Sequence, residues 1–213
     1  NYNIIKFGGI SMKSNSLYDK PIIGYINTMA DLTFLNILWL FCSLPLITIG
    51  ASTSALYAVT LKIARHEPYS IWGDFIKNLK LNFFRRTILW ILIVSIGGFL
   101  IFDYNICILN PMPILNIASY LIIGCFVIYY FIAIYLFPIQ AEYKGNILET
   151  LKASVSLAFK YFINTIVISI IPLLPIMICY FFPSLIKPVI GVLLVIGVAF
   201  LTFLQSNLLK LKL

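Results

Sequence analysis

Six long apolar runs dominate the pattern of hydrophobic and polar positions along this chain of 213 residues. An α-helix needs roughly 20 mostly apolar residues to cross the hydrocarbon core of a bilayer, and the runs approach or exceed that length. The pattern predicts an all-α fold, a polytopic helix bundle with spans at about 22–44, 49–64, 87–102, 114–139, 162–182 and 185–207. We expect one integral membrane domain over residues 1–213, in which residues 1–20 form a cytoplasmic N-terminal segment.

A first amphipathic stretch lies between the second and third runs. Trp72 and Phe75 belong to its apolar stripe, while Lys77 and Lys80 fall between the apolar positions. This arrangement is typical of helices that lie in a membrane interface. It has two interpretations, a helix that only anchors the topology or a docking surface for a cytoplasmic partner.

A second amphipathic stretch lies between the fourth and fifth runs. Asn146 and Glu149 have the spacing of a capping box at its start, and Lys152 follows three residues later. The same two interpretations apply here, with Glu149 and Lys152 as charged residues of the docking surface. The apolar stripe of this stretch consists of Leu148, Leu151, Val155, Phe159 and Phe162.

Composition supports a membrane protein. Hydrophobic residues make up 62% of the chain and charged residues only 10%, and the mean hydropathy is +1.02. An average soluble domain has about 25% charged residues. The polar remainder could not cover so much apolar surface in water, which argues against a soluble enzyme, a nucleic-acid-binding domain and a disordered tail. The expected solvent is the lipid bilayer.

The positive charges fit six spans. The chain has 15 Lys and Arg against 7 Asp and Glu, a formal net charge of +8. With six spans every cation except Lys187 lies on one side, which the positive-inside rule assigns to the cytoplasm together with both termini. Five spans would scatter the charges. We therefore expect the excess charge to serve topology and anionic lipid rather than nucleic acid.

Three polar residues interrupt the first run. Asn27 precedes Asp31 by one helical turn, and Asn36 lies five residues after Asp31, about 140° round the helix. A carboxylate at the bilayer centre costs about 2.5–3.5 kcal/mol on insertion scales, so Asp31 should face protein, water or headgroups. The three residues are a candidate polar nest for a substrate or proton. The alternative is interhelical hydrogen bonding, with Asn36 in contact with another helix.

The second run contains small residues on one side, Ala51, Ser54, Ala55 and Ala58. Small residues at such spacing allow helix backbones to approach closely. This face is a candidate for helix packing, either within the chain or against a partner protein.

The sequence shows no constellation that predicts catalysis or metal binding. It has one His and four Cys with no C-x-x-C pair, and it lacks the motifs of phosphate-binding loops, serine hydrolases and zinc proteases. We therefore expect no cofactor, no metal site and no enzymatic activity.

The first half of the chain contains a string of polar, Gly, Pro and apolar positions that together form a specific pattern: Asp31-Leu32, Leu35-Asn36, Leu38-Trp39-Leu40, Ser43-Leu44-Pro45, Thr48, Gly50-Ala51 and Ala55-Leu56-Tyr57. Phe7-Gly8-Gly9 precedes this string, and the basic stretch after Tyr69, with Phe75 and Lys77 to Phe84, follows it. These residues resemble the YesL family of bacterial membrane proteins. The resemblance implies a small polytopic protein of the Gram-positive cell membrane.

The resemblance also implies a role beside carbohydrate uptake, because members tend to be encoded near sugar transporters, glycoside-degrading enzymes and sensor kinases. The expected function is a non-enzymatic accessory protein that binds an ABC importer subunit or a sensor kinase. The alternative is a transporter or a divergent permease subunit. Importer permeases have Glu-Ala-Ala and a later Gly where this chain has Glu149-Thr150-Leu151 and Val155, which speaks against the alternative.

Overall fold

The computed structural model of the protein describes residues 6–7, 10–11, 21–109, 112–143 and 145–209. Most of the expected N-terminal segment lies outside these residues, as do Gly8, Gly9, Lys13, Lys20, Lys144, Lys210 and Lys212. Two short strands, β1 (Lys6–Phe7) and β2 (Ile10–Ser11), pair in antiparallel orientation. The helices are α1 (Pro21–Ser43), α2 (Ile49–Ala64), α3 (Ile71–Lys80), α4 (Phe83–Leu109), α5 (Pro113–Glu142), α6 (Ile147–Lys160), α7 (Phe162–Phe181), α8 (Ile186–Val192) and α9 (Val198–Leu209).

Six segments of the described chain are long and apolar enough to cross a membrane, so the predicted all-α transmembrane architecture is confirmed. They are Gly24–Ser43, Leu46–Ala64, Phe83–Leu109, Ile114–Glu142, Phe162–Phe181 and Pro183–Leu209. The third is longer than the expected 87–102 at both ends, because α4 begins at Phe83, includes Arg85 and Arg86, and continues to Leu109. Backbone carbonyls accept hydrogen bonds from both guanidinium groups, so the two charges do not end the helix.

The second span lies at the centre of the bundle. Helix α2 contacts α1, α3, α4, α5 and α9, and most of its residues are buried. Its start approaches α4 so closely that a Cβ atom added to Gly50 would lie 2.3 Å from the Cβ of Trp90. Small side chains permit this packing, because a larger residue would hold the neighbouring backbones apart.

The apolar core has two main parts. On one side of α2, Leu32 and Leu35 of α1 pack with Leu56 and Val59 of α2 and with Phe75 of α3. The other part joins α2 with α5, α6, α7 and α9, and its buried residues are Leu61, Ile134, Tyr135, Ile139, Ala158, Ile168 and Leu209.

The last span is not one continuous α-helix. A π-helical segment, Leu193–Gly197, separates α8 from α9, and a 3₁₀ turn at Pro183–Leu185 precedes α8. Segments of π-helix are rare and are often found at functional sites. Hydropathy alone does not reveal this interruption, because every residue of the segment is apolar or Gly.

Helix α3 packs against the core through Phe75, one of its apolar residues. The hydroxyl of Ser70 accepts a hydrogen bond from the backbone N–H of Gly73 and caps the first turn. Phe75 is fully buried, whereas Trp72 is 60% exposed and Lys77 is exposed. Helix α3 is therefore fixed to the core on one side and open on the other.

Helix α6 differs from α3 because it buries small and polar residues and exposes apolar ones. Its buried residues are Thr150, Ser154 and Ala158, while most of the predicted apolar stripe, including Leu148 and Phe159, is exposed. Helix α6 folds back along α5 and does not lie apart from the spans, and at its end the ring of Phe162 lies 6.1 Å from that of Phe131. The small polar residues allow this close approach.

Candidate functional site

A network of buried polar side chains surrounds α2, and we treat this polar network as the candidate functional site. The hydroxyl of Ser54 donates to Oε1 of Gln140 on α5 at 2.8 Å. The hydroxyls of Thr60 and Ser206 on α9 lie 2.9 Å apart. All four residues are at most 1% exposed, so each interaction joins two helices away from solvent.

Further hydrogen bonds extend the network to α7. The hydroxyl of Tyr57 donates to Oε1 of Gln205, and Nε2 of Gln205 lies 3.3 Å from the carbonyl oxygen of Ile168. Tyr135 of α5 and Thr165 of α7 form another pair, with 3.1 Å between the hydroxyl oxygens. Buried polar groups are costly in lipid unless they are hydrogen-bonded, and these pairs meet that requirement within the chain.

Arg86 is the most deeply buried charge of the described residues. It is 1% exposed, and neither of the two ion pairs found there includes it. Its Nη2 donates to the carbonyl oxygen of Gln140 at 2.7 Å, and its Nη1 donates to that of Asn78. These carbonyls lie in the last turns of α5 and α3, where helix carbonyls lack partners and the helix dipole is negative. Arg86 therefore caps two helices at once.

Two ion pairs lie at the same end of the bundle. Lys62 Nζ is 2.9 Å from Asp74 Oδ1, and Arg65 pairs with Glu142. Burial alone would raise the pKa of Asp74, but hydrogen bonds from Lys62 and from the backbone of Ser70 lower it below its usual value. The hydrogen bond to Glu142 raises the pKa of Arg65. We call this region, with Lys62, Arg65, Lys77, Lys80 and Arg85, the basic end.

The structure does not join the three polar residues of the first span. Asp31 accepts a hydrogen bond from the hydroxyl of Tyr69, and burial together with this bond raises the pKa of Tyr69 to about 12. Asn27 is exposed. Among the described residues, no hydrogen bond links Asp31 with Asn27 or Asn36.

Asn36 contacts the interrupted last span. Its Nδ2 donates to the carbonyl oxygens of Leu193 and Leu194 at 3.2 and 2.7 Å. Its Oδ1 accepts from the backbone N–H of Ala199 at 2.9 Å. One fully buried side chain thus satisfies backbone groups at the start of the π-helical segment and just after its end. These contacts are the interhelical bonding that was the alternative to a polar nest.

The small-residue face of α2 is used inside the chain. Ala51, Ser54, Ala55 and Ala58 are all buried against neighbouring helices. The expectation that a partner protein could dock on this face is therefore wrong, because other helices of the same chain already cover it.

The predicted docking residues fall into two groups. Phe75 belongs to the core and is not available to a partner. On the surface, Oε2 of Glu149 accepts a hydrogen bond from the backbone N–H of Asn146 at 2.9 Å. This bond is the part of the predicted capping box that the Glu149 carboxylate contributes. The remaining residues, Trp72, Lys77, Lys80, Glu149 and Lys152, are exposed.

Sequence reasoning missed the residues at the middle of the network. Gln140 and Gln205 are amides next to or within apolar runs, a signal of the same kind that singled out Asn36. Arg86 was placed just outside the third run, where it looked like one more topological cation. Its two carbonyl acceptors lie on other helices, and no pattern within α4 indicates them.

The cavities around the bundle do not resemble a polar binding pocket. One of about 500 Å³ lies between α4, α5 and α6 and is lined by residues such as Ile96, Ile128 and Val155. Another, of about 330 Å³, lies between α7 and the last span. Apolar walls of this kind suit lipid chains. Within the described residues, no group of three or more His, Cys, Asp or Glu side chains could hold a metal ion.

These features define a class, a multi-pass helical membrane protein whose apolar core contains a network of buried polar side chains and whose surface is largely apolar. Residues 32–104 match the family described as "Protein of unknown function, DUF624". The chain is 27% identical over 133 residues to "Uncharacterized protein YesL" of Bacillus subtilis (strain 168). The matched region covers 60% of this chain and 62% of the relative's length. The resemblance to the YesL family is thus confirmed. No solved structure matches the chain.

Proposed function

We propose that this chain is a non-enzymatic accessory protein of the cell membrane that docks a partner through the outward face of α3. The observation that carries the proposal is the exposure of Trp72 on a helix that the core holds firmly. Exposed tryptophans beside cations are common anchors in interfaces, because a rigid aromatic ring contributes a large contact area.

Three contacts hold α3 in place. Phe75 is buried among residues of α1 and α2, Asp74 pairs with Lys62, and Arg86 binds the carbonyl oxygen of Asn78. A preorganised surface loses little conformational entropy on binding, which favours docking. The exposed Lys77 and Lys80 suit a partner surface that carries carboxylates.

The orientation follows from the charges. The positive-inside rule places the basic end in the cytoplasm, so both termini and α3 would also lie there. A cytoplasmic docking face suits an ABC importer subunit or a sensor kinase. A role in carbohydrate uptake or sensing rests on the resemblance to the YesL family alone.

Site-specific crosslinking in native membranes tests this proposal. A photoreactive amino acid in place of Trp72 should capture an importer subunit or a sensor kinase, which mass spectrometry would identify. The matched control is the same amino acid at Lys187, an exposed position at the start of α8. Lys77→Glu and Lys80→Glu should reduce the capture. Equal capture at both positions, or a protein that stays solitary in mild detergent, would contradict the proposal.

A transporter is the second candidate, and the polar network favours it because its pairs link α2, α5, α7 and α9 within the bundle. Flux of labelled sugars into proteoliposomes would test this function. Loss of flux in Asp31→Asn and in Ser54→Ala would support transport, whereas the absence of flux with the unmodified chain would leave the accessory role.

A further inference from the structure

Four buried polar atoms of the described residues lack a hydrogen-bond partner, and they belong to one junction of α4 and α5. They are Nε of Arg85, Nε of Arg86, Oγ1 of Thr87 and Nε2 of Gln140. The first three residues are consecutive, and Gln140 is joined to Arg86 through its backbone carbonyl at 2.7 Å. Buried polar atoms in native proteins nearly always have partners, so four at one junction require an explanation.

All four atoms can donate a hydrogen bond, and the three nitrogens can only donate. The junction therefore lacks acceptors. Neither Arg85 nor Arg86 has a carboxylate partner, because the two ion pairs of the described residues involve Lys62 with Asp74 and Arg65 with Glu142. A buried guanidinium without a carboxylate is costly in a low-dielectric environment.

We propose that this junction binds a phosphate oxyanion, supplied by a lipid headgroup or by free phosphate. A phosphate has the acceptors that the four atoms lack and the negative charge that the two arginines lack as a partner, and arginine pairs with it through several N–H groups. Helix α4 begins only two residues earlier, and the partial positive charge of a helix N-terminus adds to the attraction.

The location gives access to headgroups. Phe84, beside Arg85, is 81% exposed, and Arg85 itself is only half-buried. The Nη2 atom of Arg85 donates to the carbonyl oxygen of Tyr143, three residues beyond Gln140. The junction thus lies at the start of the third apolar span and at the end of the fourth, where a spanning helix meets the headgroup region.

Thermal unfolding of the purified full chain tests this site with two probes. The first probe is inorganic phosphate in detergent, compared with chloride at equal ionic strength. The second is phosphatidylglycerol, compared with a phosphate-free galactolipid in otherwise equal nanodiscs. Stabilisation by the first probe identifies free phosphate as a ligand, and stabilisation by the second alone identifies the lipid headgroup.

Variants show whether the effect comes from this junction. Arg85→Gln removes one guanidinium and should weaken the apparent affinity about tenfold. Thr87→Val removes one donor at nearly constant volume and should weaken it severalfold, which keeps the test valid if Arg85→Gln misfolds. Lys80→Gln, an exposed cation on α3, is the matched control and should change little.

Two results would overturn the site. One is the absence of stabilisation by either probe, which would mean that water alone satisfies the four atoms. The other is stabilisation that the Thr87→Val and Lys80→Gln variants reduce equally, which would indicate diffuse charge attraction. Both readouts concern the isolated chain, so their outcome is independent of the docking partner proposed above.

Discussion

The second and fifth spans of this protein have opposite surfaces. In the second span, 67% of an 18-residue window is buried, and α2 carries hydroxyl and small residues such as Ser52, Ser54 and Thr60. In the fifth span only 17% is buried, and most of α7 is apolar and exposed, as at Ile163 and Met177.

This difference shows which interactions specify the bundle. Lipid chains are as apolar as leucine, so burying leucine between helices gains little in a membrane. Close packing and hydrogen bonds between helices take over that role. The less apolar span therefore lies at the centre, and changes in α2 and its polar partners should matter far more than changes on lipid-facing surfaces.

The largest expected effect is that of Arg86→Met. This variant leaves the carbonyl oxygens of Asn78 and Gln140 without their donor at the ends of α3 and α5. Two hydrogen bonds to a charged group are lost, for which we expect a destabilisation of about 3 kcal/mol. Unfolding in mixed micelles at increasing SDS measures it. Lys160→Met, at an exposed cation, serves as the control, and an equal effect of the two variants would contradict the capping role.

A pair of glycine variants tests the packing directly. In Gly50→Ala the new methyl group would overlap the Cβ of Trp90, whereas Gly98 on α4 has nothing within 4 Å of such an atom. Overpacking costs roughly 1–3 kcal/mol, so Gly50→Ala should lose about 2 kcal/mol of unfolding free energy and Gly98→Ala almost none. The same SDS titration distinguishes them. Comparable losses would mean that α2 is not packed against α4 as described.

The sequence indicated much of this architecture and little of its interior. Apolar runs and the cation pattern predicted six spans, since both signals are local. The small residues of α2 indicated close packing but not the neighbour. The partner of Gln140 is Ser54 and that of Gln205 is Tyr57. Both partners are distant in sequence, so no periodicity reveals them. Helix α6 packs against α5 through its small and polar residues and not through its apolar stripe, a choice that depends on the surface of α5 and not on the sequence of α6 alone.

Asn36→Leu should have the next effect, on the last span. The variant keeps a similar volume but removes three hydrogen bonds to Leu193, Leu194 and Ala199. Bonds between membrane helices average about 0.6 kcal/mol each, so the loss of three predicts a destabilisation of about 1.8 kcal/mol. Amide hydrogen exchange should also increase within 193–199. The exposed Asn27→Leu is the control. Unchanged exchange in Asn36→Leu would show that the π-helical segment does not depend on this side chain.

A single hydroxyl of the network should matter less. Ser206→Ala removes the bond to Thr60 inside the bundle, whereas Ser95→Ala changes an exposed position on α4. We expect about 0.6 kcal/mol for the first variant and no measurable effect for the second. The difference between them, measured under the same conditions, isolates burial from the chemistry of the substitution. If Ser95→Ala cost as much, the contrast between buried and lipid-facing surfaces would not hold for hydroxyl groups.

The smallest expected effect is the pH dependence of the basic end. Burial of Asp74 acts to raise its pKa in the folded protein, but hydrogen bonds from Lys62 and from the Ser70 backbone outweigh burial, so the pKa is lowered. The ionised form therefore binds better in the folded state, and its contribution is complete above the unfolded value of about 3.9. As pH falls through the lower, folded pKa, this contribution is lost. Both side chains are partly exposed, so the total should stay below about 0.5 kcal/mol. Asp74→Asn should abolish the contribution of this carboxylate to the pH dependence of the free energy of unfolding, measured from pH 6 down to values below the folded pKa. An unchanged profile would show that the pair with Lys62 contributes nothing, and the fixation of α3 would then depend on Phe75 and Arg86.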